Sequence, residues 1–280
     1  MAEPDVVAGI GGLESRLGRL LITVGVFDGL HRGHAYLLRH LVDEARALGA
    51  RPTILTFDAH PDAIVRGEAP PLLLDPEERL VRLARAGVEV VVVVHFDDAL
   101  RHTPYDAFVR SIGERVELAG FVMTPDAAFG FERRGTPEAL SALAARGDTA
   151  PAFHVVVVPP FLLEGRPVRS SDIREAVAGG RLDAARRLLG RRHAVTGIQG
   201  DDGRLATPMP VALPPAGRYA AAVTAPWTLA ATPAGRPRGV SVAVGQDGRI
   251  VVLRSSSGGP VQPPGPDGRP VRIAFVDRSG

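Results

Sequence analysis

Two histidines, His31 and His34, stand three residues apart where an apolar run gives way to an amphipathic segment. The run Leu21 to Val26 is rich in β-branched residues and ends in Phe27-Asp28-Gly29, so Leu20 to His34 reads as strand, tight turn and helix. Backbone N–H groups at a helix start attract anions, and a loop that delivers two imidazoles there suits a polyphosphate. Paired histidines at this spacing also occur on ordinary helix surfaces or as two ligands of a metal. A zinc site on His31 and His34 would require a third ligand, and His40, His95, His102, His154 and His193 show no ligand spacing among themselves. Those five read as structural or solvated.

The surrounding chain alternates between two periods. Ala35 to Leu48 carries a helical apolar stripe ending at Gly49, and Arg51 to Phe57 reads as a buried strand. Asp75-Pro76-Glu77-Glu78 has the chemistry of a helix start, with a capping carboxylate, proline in the first turn and acids near the positive end. Val88 to His95, Gly120 to Met123 and Phe153 to Val158 are further strand runs. Helices open at Thr103-Pro104 and Thr136-Pro137-Glu138, and two short ones follow at Ser171 to Val177 and Leu182 to Leu189. Residues 1–18 carry no strong signal and read as a loose lead-in. Continuous Val/Ile/Leu strands alternating with helices predict an α/β fold, a Rossmann-like parallel sheet covered on both faces, with ligands beyond the carboxyl ends of the strands.

Composition narrows the chemistry. The chain of 280 residues predicts about two domains. It contains no cysteine, which removes disulfides, thiolate nucleophiles and Cys-based zinc sites. It contains no lysine either, so its 33 basic residues are all arginine, and phosphate recognition falls to Arg, His and backbone amides. The pI near 9.6 reflects that all-arginine inventory. The net charge is only +2 with acids interspersed, so no nucleic-acid partner is expected. No run of eighteen apolar residues and no secretory pattern occurs, which predicts no membrane association and a cytoplasmic location. Oligomeric state is not encoded in any feature of the sequence.

GVFDGLHRGH resembles the first motif of the nucleotidyltransferase superfamily, and its wording is most similar to that of the bacterial FAD synthetases, usually bifunctional riboflavin kinase/FMN adenylyltransferases. TFDAHP at Thr56 to Pro61, PDAAFG at Pro125 to Gly130 and VRSSDIR at Val168 to Arg174 extend the likeness in the same order and spacing. The resemblance implies an adenylyltransferase domain over residues 1–190 that joins ATP to FMN with magnesium, forming FAD and pyrophosphate. It implies catalytic roles for His31, His34 and Arg174 on the phosphates, and an ATP pocket with Gly25, Phe27, Asp28, Gly33, Ser170 and Ser171. For Asp28 a turn-forming role is an equal alternative. On the flavin side it implies Asp58, His60, Pro61, Asp126 and Phe129, though a strand-ending Asp-x-His-Pro could equally be a satisfied turn. The metal ligands are not implied.

Two departures bear on the acceptor. Ala127 stands where the family has an aromatic two positions before Phe129, and Arg169 stands at the first serine of I-S-S-T-x-I-R. The first could weaken the flavin assignment, and the second could favour a more anionic acceptor or simply point to solvent. From Arg191 onward the texture changes to short β-type runs, His193 to Thr196, Arg218 to Val223, Gly239 to Val244, Arg249 to Leu253 and Val271 to Val276, with a hairpin signal at Gln246-Asp247-Gly248. Thr232 to Arg238 and Ser255 to Arg269 read as flexible loops. Residues 191–280 therefore predict a small all-β, barrel-like domain, which faintly resembles the family's riboflavin kinase module in degenerate form. That module's G-x-P-T-A-N motif and later glutamate are missing, since the chain has no asparagine and no glutamate after Glu175. Three readings follow: an FMN adenylyltransferase lacking kinase activity, a related nucleotidyltransferase with another phosphorylated acceptor, or a non-catalytic flavin- or nucleotide-binding protein.

Overall fold

The computed structural model describes residues 3–147, 152–200, 202–229, 237–255 and 270–278. The chain divides into two compact units, one of residues 1–27, 33–70 and 82–167, the other of residues 28–32, 71–81 and 168–280. Most of the two stretches expected to be flexible loops lies outside the described residues.

The first unit is built on a wholly parallel sheet of β1 (Asp5–Ala8), β2 (Arg19–Val24), β3 (Arg51–Phe57), β4 (Val90–Val94), β5 (Glu117–Met123) and β6 (His154–Val157), in the order β1-β4-β3-β2-β5-β6. The central strands are continuous apolar runs because both faces are covered. Leu20, Leu21 and Ile22 of β2 and Val90, Val91 and Val92 of β4 are all fully buried. From β2 the chain adds β3 and β4 on one side, then crosses to β5 and β6 on the other. The carboxyl end of β2 is thus the topological switch point, where open parallel sheets bind ligands.

The helices are α1 (Arg32–Ala47), α2 (Asp62–Val65), α3 (Pro76–Arg85), α4 (Asp98–Arg101), α5 (Tyr105–Gly113) and α6 (Pro137–Arg146). Their starts carry the caps legible in the sequence. Asp75 Oδ1 accepts from the amides of Glu77 and Glu78 at 3.0 Å each, and Thr136 Oγ1 accepts from Ala139 N at 3.3 Å. Gly120 is dictated by close strand approach, since a Cβ there would lie 2.2 Å from the His154 carbonyl oxygen. A two-stranded ribbon of β7 (Leu162–Leu163) and β8 (Arg166–Pro167) ends the first unit.

One expectation is corrected here. The described part of the segment expected as a loose lead-in, residues 3–18, is ordered into the sheet, because β1 pairs in parallel with β4 from Asp5↔Val90 to Ala8↔Val93. Edge strands need few apolar residues, so four residues with an exposed Val6 left no sequence pattern. Arg51 holds this edge, its Nη2 2.7 Å from Asp5 Oδ2 and its Nε 3.0 Å from Glu89 Oε2.

The second unit contains α7 (Ser170–Ala178), α8 (Leu182–Leu189) and a closed antiparallel barrel. Its strands are β9 (Ala194–Gln199), β10 (Arg204–Ala206), β11 (Gly217–Thr224), β12 (Arg238–Val244), β13 (Ile250–Ser255) and β14 (Pro270–Arg278), closing in the order β10-β13-β12-β11-β14-β9. Alternate residues face inward, among them Tyr219 and Ala221 of β11 and Val240, Val242 and Val244 of β12. The hairpin signal lies between β12 and β13, with Gly248 at φ 72. Strand β10 had no counterpart in the sequence reading, being three residues without a β-branched side chain.

Inside this unit Arg272 Nε of β14 lies 2.8 Å from Glu78 Oε2 of α3, with the two side chains 10% and 2% exposed. Removing one partner of such a pair strands a buried charge. Glu78→Ala is expected to lower stability by about 3 kcal/mol, read from denaturant unfolding curves against the wild type.

Candidate functional site

Strand β2 leaves the sheet at Val24 and turns through backbone that few side chains adopt. Phe27 sits at φ 53, Gly29 at φ 80 and Leu30 at φ 37. A non-glycine residue with positive φ persists only where its surroundings over-determine it. In the first unit, the Phe27 ring is buried with its centroid 5.1 Å from that of His34, in the first turn of α1 beside Gly33. Gly25 lets this ring fold back, because a Cβ there would lie 3.1 Å from it. Gly25 N donates to Leu55 O (3.0 Å) and Thr56 Oγ1 donates to Val26 O (3.2 Å), tying the turn to β3.

In the second unit, Asp28 is buried at 3% exposure and its carboxylate is satisfied from two directions. Leu73 N donates to both its oxygens at 3.0 and 3.1 Å, and Arg174 Nη2 reaches Oδ2 at 2.5 Å. Ser170 Oγ donates to the Asp28 carbonyl at 3.0 Å, and Arg174 Nε donates to Pro71 O at 2.8 Å. The next two carbonyls are taken by Arg191, with Nη2 2.6 Å from Gly29 O and Nη1 3.1 Å from Leu30 O. Arg191 carried no sequence signal beyond its place in an arginine pair. His31 follows this clamp at 5% exposure, and burial, then the charge of Arg191, pushes its pKa down to about 4. It is therefore a neutral imidazole at pH 7. Ser171 is exposed at the start of α7, its Oγ 3.3 Å from Asp172 Oδ1.

A cleft of the first unit has a volume of about 880 Å³ and opens at the carboxyl ends of the strands. Val24, Gly25 and Val26 after β2, Phe57 at the end of β3, Phe96 after β4 and residues 127–133 after β5 all line it. His60, Pro61 and Phe129 are in its wall. Asp58 and Asp126 are not. Asp58 faces His95, and Asp126 is exposed, accepting from Thr124 Oγ1 at 2.8 Å.

The sequence reading missed the aromatic side chains Phe57, Phe96, Phe108 and Phe131 and the arginines Arg66, Arg101 and Arg133 of the same cleft. Phe57 at the end of β3 and Phe96 just past β4 carried the signal of an aromatic residue at a strand end, whereas Phe108 lies within α5 and the others carried none. Glu132 and Arg133 sit at φ 54 and 57, a second strained segment on the cleft. Gly130 permits the loop to approach α5, since a Cβ would lie 2.7 Å from the Tyr105 backbone. Among the described residues no three His, Cys, Asp or Glu side chains gather as metal ligands, and no helix is long and apolar enough to cross a membrane.

Two outcomes are expected of this arrangement. Asp28→Ala leaves the largely buried Arg174 without its carboxylate and should cost about 3 kcal/mol in unfolding free energy. Unfolded histidines take up protons near 6.5, whereas folded His31 does so near 4, as does His193, which is buried in the barrel unit with Nε2 2.8 Å from Ala212 O. The unfolded state therefore binds more protons between those values, and stability should fall as pH drops from about 6.5 to 4, by on the order of 3 kcal/mol for each histidine. Unfolding midpoints across that range check the slope, and His193→Gln should remove part of it.

The FAD synthetase family matches residues 14–172. The bifunctional riboflavin kinase/FMN adenylyltransferase of Haemophilus influenzae is 29% identical over 195 residues, covering 69% of this chain and 62% of that protein. A putative bifunctional riboflavin kinase/FMN adenylyltransferase of Geobacillus thermodenitrificans is 30% identical over 171 residues, covering 61% of this chain and 89% of that one. The match thus spans about six-tenths of the Haemophilus protein. A crystal structure titled as a macrolide-efflux protein from Streptococcus pneumoniae shares the fold, with a TM-score of 0.77 and 20% identity over 100% of this chain and 91% of that one. With more than half of its residues matched by the family pattern, the chain belongs to the FAD synthetase family.

Proposed function

We propose that this protein transfers AMP from ATP to FMN, forming FAD and pyrophosphate, and that it does not phosphorylate riboflavin. The observation that carries the reading is the aromatic cleft at the switch point of the sheet, large enough for a tricyclic ring and lined by His60, Pro61 and Phe129. The family match and the names of the bifunctional relatives support it.

The chemistry asks little of a base. A phosphate monoester has its second pKa near 6, so the FMN phosphate is already a nucleophilic dianion at neutral pH. One of its oxygens bonds to the α-phosphorus of ATP, the bond from that phosphorus to the α–β bridging oxygen breaks, and pyrophosphate leaves with the electron pair. The protein has to hold two anions in line and stabilise charge on the oxygens. His34, in the first turn of α1, and neutral His31 just before it are the donors proposed for the ATP phosphates, beside backbone N–H groups with the positive end of the helix dipole. Gly25, Phe27 and Gly33 are proposed to shape the nucleotide side, and exposed Ser171 to offer a hydroxyl to phosphate. Asp28, Ser170 and Arg174 are read as positioning residues, since their polar atoms face one another and Pro71. Magnesium is proposed to enter as part of the MgATP substrate, held mainly by phosphate oxygens, as is usual for this ion.

Ala127 lines the cleft without a ring, which favours a second reading with a different phosphorylated acceptor. Phe57, Phe96 and Phe131 offer the stacking surface that Ala127 does not, and this keeps FMN first. The kinase loss rests on residue chemistry. A riboflavin hydroxyl, unlike a phosphate, must lose a proton to react, and the barrel segment of this chain has neither the glutamate nor the asparagine for that task.

The test is incubation with magnesium and ATP, once with FMN and once with riboflavin, with flavins separated by chromatography. FAD from FMN and no FMN from riboflavin is the expected pair of results. FMN formed from riboflavin would overturn the kinase loss, and no FAD from FMN would overturn the acceptor. His31→Gln, chosen because it keeps a buried polar side chain of similar volume, should lower kcat by about 100-fold or more with an unchanged circular dichroism spectrum.

A further inference from the structure

Asp58 directly follows β3 and is bound at three points to the last residue of β4 and the two residues after it. Its N–H donates to Val94 O at 3.2 Å, its Oδ1 accepts from Phe96 N at 3.4 Å, and its Oδ2 accepts from His95 Nδ1 at 2.6 Å. Oδ1 also accepts from Ala59 N at 2.7 Å, which fixes the carboxylate in place. The flanking residues are the aromatic wall of the cleft. Phe57 precedes Asp58, Phe96 follows His95, and their rings meet edge to face with centroids 5.3 Å apart. The Asp58–His95 bond thus joins the residues adjacent in sequence to the two rings.

We propose that Asp58 and His95 form a staple, closed while His95 is protonated, that sets the spacing of the Phe57–Phe96 wall and so makes both residues positioning residues for a planar aromatic ligand in the cleft. The proposal rests on the flavin reading of that cleft and adds a residue, His95, that the sequence placed among the structural or solvated histidines. The charged groups facing His95 are Asp58 across the strands and Asp97 on its own loop, and both raise its pKa, the Asp58 hydrogen bond most. Asp58 is held below the usual carboxylate range, its bonds to His95 and to the Ala59 and Phe96 amides outweighing the opposing effect of burial. The sign follows from these directions. The ion pair is complete below pH 6.5, provided Asp58 stays ionised, and is lost as pH rises through the elevated pKa of His95. His95 is 74% exposed, so the pair is a small adjustment and not a determinant of folding.

The experiment is an NMR pH titration of the ligand-free protein, following the His95 imidazole and the Phe57 and Phe96 ring resonances, beside FMN affinity from flavin fluorescence at pH 6 to 9. The expected result is a His95 midpoint above 6.5 that moves back toward 6.5 in Asp58→Asn, with both phenylalanine rings shifting at the His95 midpoint. FMN should bind about two- to fivefold more weakly at the alkaline end in the wild type. His95→Ala should show the weaker affinity throughout, with kcat at saturating FMN unchanged. His95→Asn, which keeps a donor but no titrating proton, should restore affinity and flatten its pH dependence. Ring resonances indifferent to the His95 titration, or a His95→Ala variant that binds FMN like the wild type at every pH, would overturn the staple. A wild-type protein that binds no FMN loses the flavin reading instead, and the ring resonances still decide the staple.

Discussion

A buried carboxylate must be paired, and in this protein that requirement falls on Asp28. Its oxygens take an amide hydrogen from Leu73 and a guanidinium from Arg174, residues distant in the chain, and its own carbonyl is claimed by Ser170. Leu30 can adopt positive φ because these bonds, with Arg191 on the following carbonyls, hold Asp28 to Leu30 in place. His31 follows directly, so the backbone before it is secured by side chains that need not touch a ligand.

The parallel sheet supplies the other constraint. Strands with both faces covered expose useful backbone only at their ends, and the carboxyl ends converge where the strand order reverses at β2. Gly25, Phe57, Phe96 and Phe129 come from four different strand ends, and that common edge makes one cleft of them. The cleft is apolar at its wall and carries arginines among its lining residues, an arrangement suited to a ligand with a flat ring and an anionic group.

The barrel unit solves a different problem. Closure leaves no sheet edge to aggregate, and alternation places Tyr219, Val242, Ile273 and Phe275 inside. Two of its buried polar side chains find partners within it: Tyr219 donates to Pro215 O at 2.6 Å, and Arg272 is paired with Glu78 and lies 5.7 Å from the Trp227 ring.

Much was legible in the sequence because it is local. Apolar runs announced β2 to β6, capping residues announced α3 and α6, and alternation with turn signals announced most of the barrel, since periodicity and caps depend on neighbours a few residues apart. His60, Pro61 and Phe129, singled out from motifs past strand ends, lie in the cleft wall. What only the tertiary structure decided depends on partners far along the chain. Pairing with β4 makes a strand of Asp5–Ala8, and the Asp28–Arg174 pair spans 146 positions. Asp58 turns to His95 and leaves the cleft to Phe57 and Phe96, because a carboxylate at a strand end follows the nearest donor on the adjacent strand, and no sequence spacing names that neighbour.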